Sequence, residues 1–233
     1  MTIHKVKAGQ KIKLKEIDAD DTGKFSNKQE VRQLLARNIE RMAELQHMLY
    51  AQGQHALLIV LQAMDAGGKD GTIRRIMSGV NPQGVQVTSF KVPTEEELSH
   101  DFLWRIHKCT PGKGMVSVFN RSHYEDVLVV RVLDLAPQSI WSQRYKLIND
   151  FEENLVAAGT RILKLYLHIS LKEQLERFKK RLDNPEKHWK LNVGDYAVRD
   201  RWAAYREAYE DAISKCNSKQ LPWFVIPADH KWY

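Results

Sequence analysis

Residues 57–72, LLIVLQAMDAGGKDGT, run from an apolar stretch into a glycine-rich turn closed by Gly68-Lys69. In such a turn, successive backbone N–H groups and the first amides of the next helix converge on phosphate oxygens, and a lysine adds a point charge. That layout assigns Ala66, Gly67, Gly68, Lys69, Asp70, Gly71 and Thr72 to phosphate. The strict P-loop pattern G-x-x-x-x-G-K-[ST] is broken twice, by Ala63 in place of the first glycine and by Asp70 in place of the magnesium-binding hydroxyl. An acid, Asp65, also lies inside the turn, where a bare carboxylate would repel the ligand. It is tolerable if it holds a divalent cation or orients a second phosphate-bearing substrate, so the chemistry expected is phosphoryl transfer. Asp65 is the first metal candidate; Asp70 is better suited to stabilising the helix N-terminus that follows.

A second cluster begins where the apolar run Met115–Phe119 meets Asn120-Arg121-Ser122-His123-Tyr124-Glu125-Asp126. A strand ending beside acids is the Walker B arrangement, which brings a carboxylate next to a phosphate loop. Arg121 at the strand tip offers a planar donor fork for phosphate oxygens. Ser122 and Glu125 have capping-box spacing, so Glu125 fits either reciprocal capping or a place near substrate. Asp126, one helical turn past Ser122, is the expected second metal-facing carboxylate. His123 has no His or Cys partner at ligand spacing and reads as a structural histidine. Further along, Arg177, Lys180, Arg181, Lys187 and Lys190 crowd a segment that Glu173, Glu176, Asp183 and Glu186 neutralise in part. A charge run can be a plain solvated face. Its late position in a P-loop-like order favours a lid, about residues 170–195, that closes over phosphates and excludes water.

These groups must be positioned by elements that the pattern outlines. Lysines at 5, 7, 11, 13 and 15 suggest a peripheral extended arm over residues 1–25. Ser26 and Gln29 fit a capping box opening a long helix, whose stripe of Val31, Leu34, Leu35, Ile39, Met42, Leu45, Met48 and Leu49 suits packing on a sheet or a protomer interface. Strands are expected near 56–62, 85–90, 115–119, 161–169 and 223–226. Helices are expected from the phosphate loop to about 78, from Pro93 to about 109, over 122–130 and 137–158, after Ser170, and over about 196–216. Strands separated by helices, without hairpin signals, predict a parallel sheet covered on both faces, in one domain spanning 1–233. In such sheets ligands bind at the carboxyl ends of strands, where both clusters begin.

Composition narrows the partners. A chain of 233 residues suffices for one α/β domain, and no stretch reaches the length of a membrane span. The N-terminal residues start no secretory signal, and Cys109 and Cys216 show no metal or redox spacing, so the expected setting is the reducing cytoplasm. A net charge of +7 implies a polyanionic partner. A nucleic-acid binder and an ATP-dependent nucleoside or nucleotide kinase remain rival readings, although no helix-turn-helix, RNP or zinc-finger pattern supports the former.

Taken together, AMDAGGKDGT, FNRSHYED and RLDNPEKHWK resemble the polyphosphate kinase 2 family, with VPTEEEL and PWFVIPADHKWY extending the likeness over nearly the whole chain. HYEDVLVVRV looks like the class III members, which phosphorylate both nucleoside mono- and diphosphates; classes restricted to one acceptor tend to carry asparagine where Glu125 stands. The resemblance implies a three-layer α/β/α, P-loop kinase-like sandwich with a helical lid. It also implies reversible transfer of the terminal polyphosphate phosphoryl to ADP or AMP, using Mg2+ or, alternatively, Mn2+. By the same resemblance Asp65, Lys69, Arg121 and Asp126 are catalytic and Asp65 with Asp126 holds metal. Arg131 joins the phosphate-binding set, and Asn120, Glu125 and Asp126 lie on the nucleotide side. The partners implied are inorganic polyphosphate, ADP, ATP and AMP, with a homo-oligomer (dimer or tetramer) and neither nucleic acid nor membrane. Relatives usually continue past the position of Tyr233 into a further helix, which bears on oligomer geometry.

Overall fold

The computed structural model describes residues 3–191 and 193–233; residue 192, inside the expected lid segment, lies outside the described residues. A sheet of six strands forms the middle layer: β1 (His4–Lys5), β2 (Ala56–Ala63), β3 (Val85–Ser89), β4 (Val116–Asn120), β5 (Thr160–His168) and β6 (Trp223–Pro227). Their order is β1-β6-β5-β2-β4-β3, parallel throughout except that β1 runs antiparallel to β6. β2 is central, and its sequence ALLIVLQA is apolar on both faces because both faces are covered. Leu58 and Val60 enter one core, and Ile59 and Leu61 enter the other, following the two-residue alternation of a strand.

Helices α1 (Lys28–Gln52) and α2 (Lys69–Ile76) lie on the Ile59 face, where Leu49, Ile73 and Met77 join the core. The helices α5 (Glu125–Val132), α6 (Gln138–Ala157) and α9 (Trp202–Lys215) cover the Leu58 face. Between β3 and β4 stand α3 (Glu95–Ser99) and α4 (Trp104–His107); after β5 come α7 (Leu171–Leu182) and α8 (Val193–Asp200).

Several expectations are corrected. The N-terminal stretch is no peripheral arm: Val6, Ile12 and Leu14 are buried in the main core, and Leu14 N–H donates to Glu210 at 2.7 Å. Alternation puts its lysines outside and its aliphatics inside. Asn27, not Ser26, caps α1; its Oδ1 accepts from the amides of Gln29 and Glu30, while Ser26 Oγ donates to Glu30. The expected helix from Pro93 breaks after Ser99, where the Asp101 carboxylate accepts the Leu103 amide and forms a local turn. Its Thr94–Glu97 capping box is present as expected. The last helix splits at Arg201, whose guanidinium is drawn to the Val132 carbonyl at 2.6 Å.

Candidate active site

β2 delivers the phosphate loop to the carboxyl edge of the sheet, with β4 and β5 on either side. The loop closes as a turn, Gly67 N–H to Met64 O at 2.9 Å, and α2 starts at Lys69. Gly67 is required by space, because a Cβ there would lie 2.5 Å from Ala63 Cβ. Gly68 has φ +103°, and Ala66 adopts φ 59° although it is not glycine. Backbone strain of this kind, about 1–3 kcal/mol, persists only where the surroundings enforce it. The amides of Ala66 and Gly68, and the first-turn amides at Lys69, Asp70 and Gly71, carry no backbone partner among the described residues. They are the donors left for an anion. Gly67 contributes room instead of its amide. Thr72 N–H already serves α2 by donating to Gly68 O at 2.9 Å, so Thr72 belongs to the helix.

Lys69 Nζ folds back onto the Ala63 carbonyl at 2.8 Å. Burial and the nearby Arg121 guanidinium hold its ammonium below the ordinary lysine range, while Asp65, Glu125 and Asp70 act in the opposite direction. A poised, partly desolvated ammonium is what a phosphate would capture.

β4 brings the second cluster alongside. Arg121 N–H pairs with Leu61 O at 3.1 Å, and Arg121 itself has φ 64°, a bend that turns its side chain at the strand tip. Its Nη2 lies 2.9 Å from Asp65 Oδ1 and its Nη1 lies 4.0 Å from Glu125 Oε2. One guanidinium therefore joins the acid of the loop to an acid of α5. Glu125 is not held by a capping box: Ser122 Oγ is buried and accepts from Gln62 and from the Tyr124 amide, and no side chain caps α5. The structure thus gathers Asp65, Lys69, Arg121 and Glu125.

Asp126 is engaged elsewhere. Arg144 Nη1 donates to its Oδ1 at 3.0 Å and to its carbonyl at 3.1 Å. Burial pushes its carboxyl up to about 6, against the opposing pull of Arg144 and Arg105. Asn120 Nδ2 donates to Asp70 Oδ1 at 2.8 Å and to Ser89 Oγ at 3.2 Å, which fastens the ends of β3 and β4 to α2. Arg131 does not offer its fork to phosphate: Asp211 accepts from it at 2.7 Å and Glu207 at 2.6 Å, clasping α5 to α9. Two carboxylates have already neutralised it. His123 is structural as expected, buried with Nε2 3.3 Å from Glu152. Glu152 also accepts from Lys164 at 2.6 Å and from Tyr124 at 2.8 Å, forming a buried polar network behind the β4 tip.

The lid candidates divide. Arg177 is buried on α7, donating to the carbonyls of Ala66 (2.9 Å), Ala228 and Asp229 and to Glu173, so it lies beneath the loop and not in a lid. Lys180 and Lys187 are exposed, and Arg181 donates to the Lys190 carbonyl while its guanidinium lies over the Phe178 ring. Lys190 Nζ reaches Asp70 Oδ2 at 2.9 Å, bringing the segment onto the cradle. The sequence reading missed Lys231: burial together with Arg177, Lys180 and Lys187 keeps its ammonium below the usual range, placing it among those cations. It also missed Gln174 and Tyr209, whose side chains donate to the Asp65 and Ala63 carbonyls. Nothing in their local pattern could have flagged them.

Among the described residues, no three His, Cys, Asp or Glu side chains converge as a ready metal site. Magnesium held by one or two carboxylates plus substrate phosphates needs none. Asp65 and Glu125, both beside Arg121, suit that role. Among the described residues, no helix is long and apolar enough to cross a membrane.

Comparison with known proteins gives a consistent result. Residues 24–233 match the family described as Polyphosphate kinase 2 (PPK2). The chain is 53% identical to an AMP/ADP-polyphosphate phosphotransferase of Meiothermus ruber, covering 100% of this chain and 88% of the relative. It is 44% identical to an ADP-polyphosphate phosphotransferase of Rhodopseudomonas palustris, covering 97% and 83%. The crystal structure of Polyphosphate Kinase 2 from Arthrobacter aurescens TC1 superposes with a TM-score of 0.94 at 46% identity, covering 97% of this chain and 82% of that one.

Proposed function

This chain belongs to the polyphosphate kinase 2 family, and from that membership we propose that it moves the terminal phosphoryl group of inorganic polyphosphate reversibly onto ADP and AMP. The observation that carries the reading is the single guanidinium of Arg121 bridging toward Asp65 and Glu125 beside the Lys69 cradle. Acceptance of both nucleotides is supported by Glu125 and by the relative named for AMP and ADP.

The end of the polyphosphate enters the cradle, where the free amides at Gly68 to Gly71 and the Lys69 ammonium bind its terminal phosphoryl. The chain behind it follows the cations Lys180, Lys187 and Lys231. A terminal phosphate oxygen of the acceptor nucleotide attacks that phosphorus in line. The bridging P–O bond breaks, and the shortened polyphosphate leaves with the electron pair. The attacking oxygen is largely ionised near neutrality, since the second pKa of a phosphate monoester is about 6, so no strong general base is required. Lys69 and Arg121 neutralise charge on a loose transition state. Asp65 and Glu125 are the carboxylates that would hold Mg2+, which would supply charge neutralisation during the transfer. Asp126, tied to Arg144, holds the first turn of α5 and so the position of Glu125. Asn120 orients the nucleotide side through Asp70. Lys190 and Arg181 belong to a lid that excludes water from the transferred group.

The half-exposed aliphatic stripe of α1, with Leu45 and Met48, supports a homo-oligomer, dimer or tetramer, which light scattering would size. The decisive assay supplies ADP, Mg2+ and polyphosphate as sole donor and reads ATP with luciferase. Failure to form ATP, with activity appearing only when ATP is the donor, would overturn the proposal.

A further inference from the structure

The walls behind the cradle are lined by side-chain donors. Tyr209 and Lys69 donate to the Ala63 carbonyl, Gln174 Nε2 to the Asp65 carbonyl at 2.9 Å, and Arg177 Nη1 to the Ala66 carbonyl at 2.9 Å. Gln174 is 0% exposed and Arg177 4% exposed. An unpaired buried guanidinium would be costly, but all three nitrogens of this one are engaged. Its Nε serves Glu173, and its Nη2 serves the carbonyls of Ala228 and Asp229 in the tail after β6.

A trans peptide is planar, with its N–H opposite its C=O. Holding the Asp65 carbonyl outward therefore turns the Ala66 N–H inward. The next peptide is clamped at both ends, its carbonyl by Arg177 and its Gly67 N–H by Met64 O. Ala66, with φ 59°, therefore lies between two peptides that side chains of α7 hold, immediately before Gly68, from which α2 begins. Arg177 Nη1 lies 3.4 Å from where a Cβ on Gly68 would sit, directly under the loop.

We propose that Arg177 and Gln174, on the buried face of α7, are positioning residues that preset the inward amides of the phosphate cradle before any ligand arrives. The inference rests on the cradle reading given above and deepens it: the helix leading into the lid also shapes the floor of the site. Each residue acts through a carbonyl of the loop, and Arg177 ties that loop to the chain's C-terminal tail.

The test compares wild type with Arg177→Ala, Arg177→Lys and Gln174→Met. It measures kcat, the separate KM values for polyphosphate and ADP, thermal unfolding, and amide exchange over residues 64–70 by mass spectrometry. A misplacement on the order of 1 Å costs about a hundredfold in rate. Arg177→Ala should therefore lose about a hundredfold in kcat with the KM for ADP within about twofold, and guanidinium chloride at low millimolar concentration should restore about tenfold without shifting Tm. Arg177→Lys should remain impaired, because a point charge cannot reach the separate carbonyls at once. Gln174→Met, which preserves volume and loses the donor, should lose about tenfold in kcat and exchange faster over 64–70. A kcat within about twofold of wild type in folded Arg177→Ala, or unchanged rate and exchange in Gln174→Met, overturns the proposal. So does a loss that merely follows a fall in Tm and is not rescued. If Arg177→Ala fails to fold, Gln174→Met decides alone. Absence of polyphosphate-driven ATP formation by wild type would count against the function, whereas the exchange measurement would still judge the positioning role.

Discussion

Lys190 Nζ lies 2.9 Å from Asp70 Oδ2 across 120 residues of sequence, so the tip of the basic segment is fastened to the first turn of the cradle helix. Asp70 stands where a Walker A loop has its hydroxyl, and it also accepts from Asn120. Burial would raise its carboxyl, but hydrogen bonds from Lys190 and Asn120 outweigh this and hold it below the ordinary range. Asp70 is exposed and Lys190 only partly buried, so solvent screens the pair and its contribution to folding is small. A polyanion entering the cradle competes with Asp70 for Lys190. Asp70→Asn is therefore expected to lower the KM for polyphosphate by about two- to fivefold, to leave Tm within about 2 °C, and to speed tryptic cleavage in the 179–190 segment. A raised KM with unchanged proteolysis would show that the contact does not latch the segment.

Electrostatic deletions at the core of the site should cost far more. Lys69→Ala and Asp65→Asn are each expected to lower kcat by about a hundredfold or more. Arg121→Lys should also be poor, since a lysine cannot span Asp65 and Glu125 as the guanidinium fork does. Steady-state rates with circular dichroism as a fold control test this, and near-normal turnover in any of the three would refute its assigned role.

Gly67→Ala separates space from flexibility in the loop. The new methyl would meet Ala63 Cβ, at the end of β2, at 2.5 Å and the carbonyl of the next residue, Met64, at 2.7 Å, and neither can give way cheaply. A loss of about 1–3 kcal/mol in stability, with activity largely gone, is expected. Denaturant titration would contradict this if the variant were as stable as wild type.

The buried Lys164–Glu152 pair should dominate local stability behind the β4 tip. Burial would raise the Glu152 carboxyl, yet the Lys164 ammonium and His123 outweigh it and hold it below the ordinary value. With the folded value depressed, this stabilisation is present above the unfolded carboxylate range and fades as pH falls through the folded value. Glu152→Gln leaves Lys164 uncompensated and should cost about 3–5 kcal/mol in urea unfolding. A cost below about 1 kcal/mol would mean that the pair is not fully desolvated.

Asp126 should give the opposite pH slope. Its carboxyl is raised from 3.8 to about 6 in the fold, so the folded state binds the proton more tightly than the unfolded chain over that interval. Stability from this group is greatest below 3.8 and declines as pH rises through about 6. Asp126→Asn keeps an acceptor for Arg144 and cannot ionise. Relative to wild type, it should gain on the order of 2 kcal/mol between pH 4 and pH 8. An equal difference at both pH values would show that burial does not govern Asp126.

Much of this was legible along the chain. The apolar run of β2, the glycines of the loop and the apolar run ending at Arg121 announce themselves because neighbours in sequence make those structures. The Thr94 box and the Ser170 cap likewise depend only on residues three apart. Net charge pointed to a polyanionic partner and the altered loop to phosphoryl transfer, while the resemblance of the separated motifs supplied polyphosphate as the donor, in line with the family to which the chain belongs. Folding decided what each charged side chain does, because a charge leaving water takes whatever partner the packing of distant segments provides. Arg131 met Glu207 and Asp211, Asp126 met Arg144, and Arg177 was drawn under the loop, although all three look alike on paper to the cations and acids of the site. The lysine-studded N-terminus became core for the same reason: its alternate aliphatics found the α9 face, which no reading of the first fifteen residues contains.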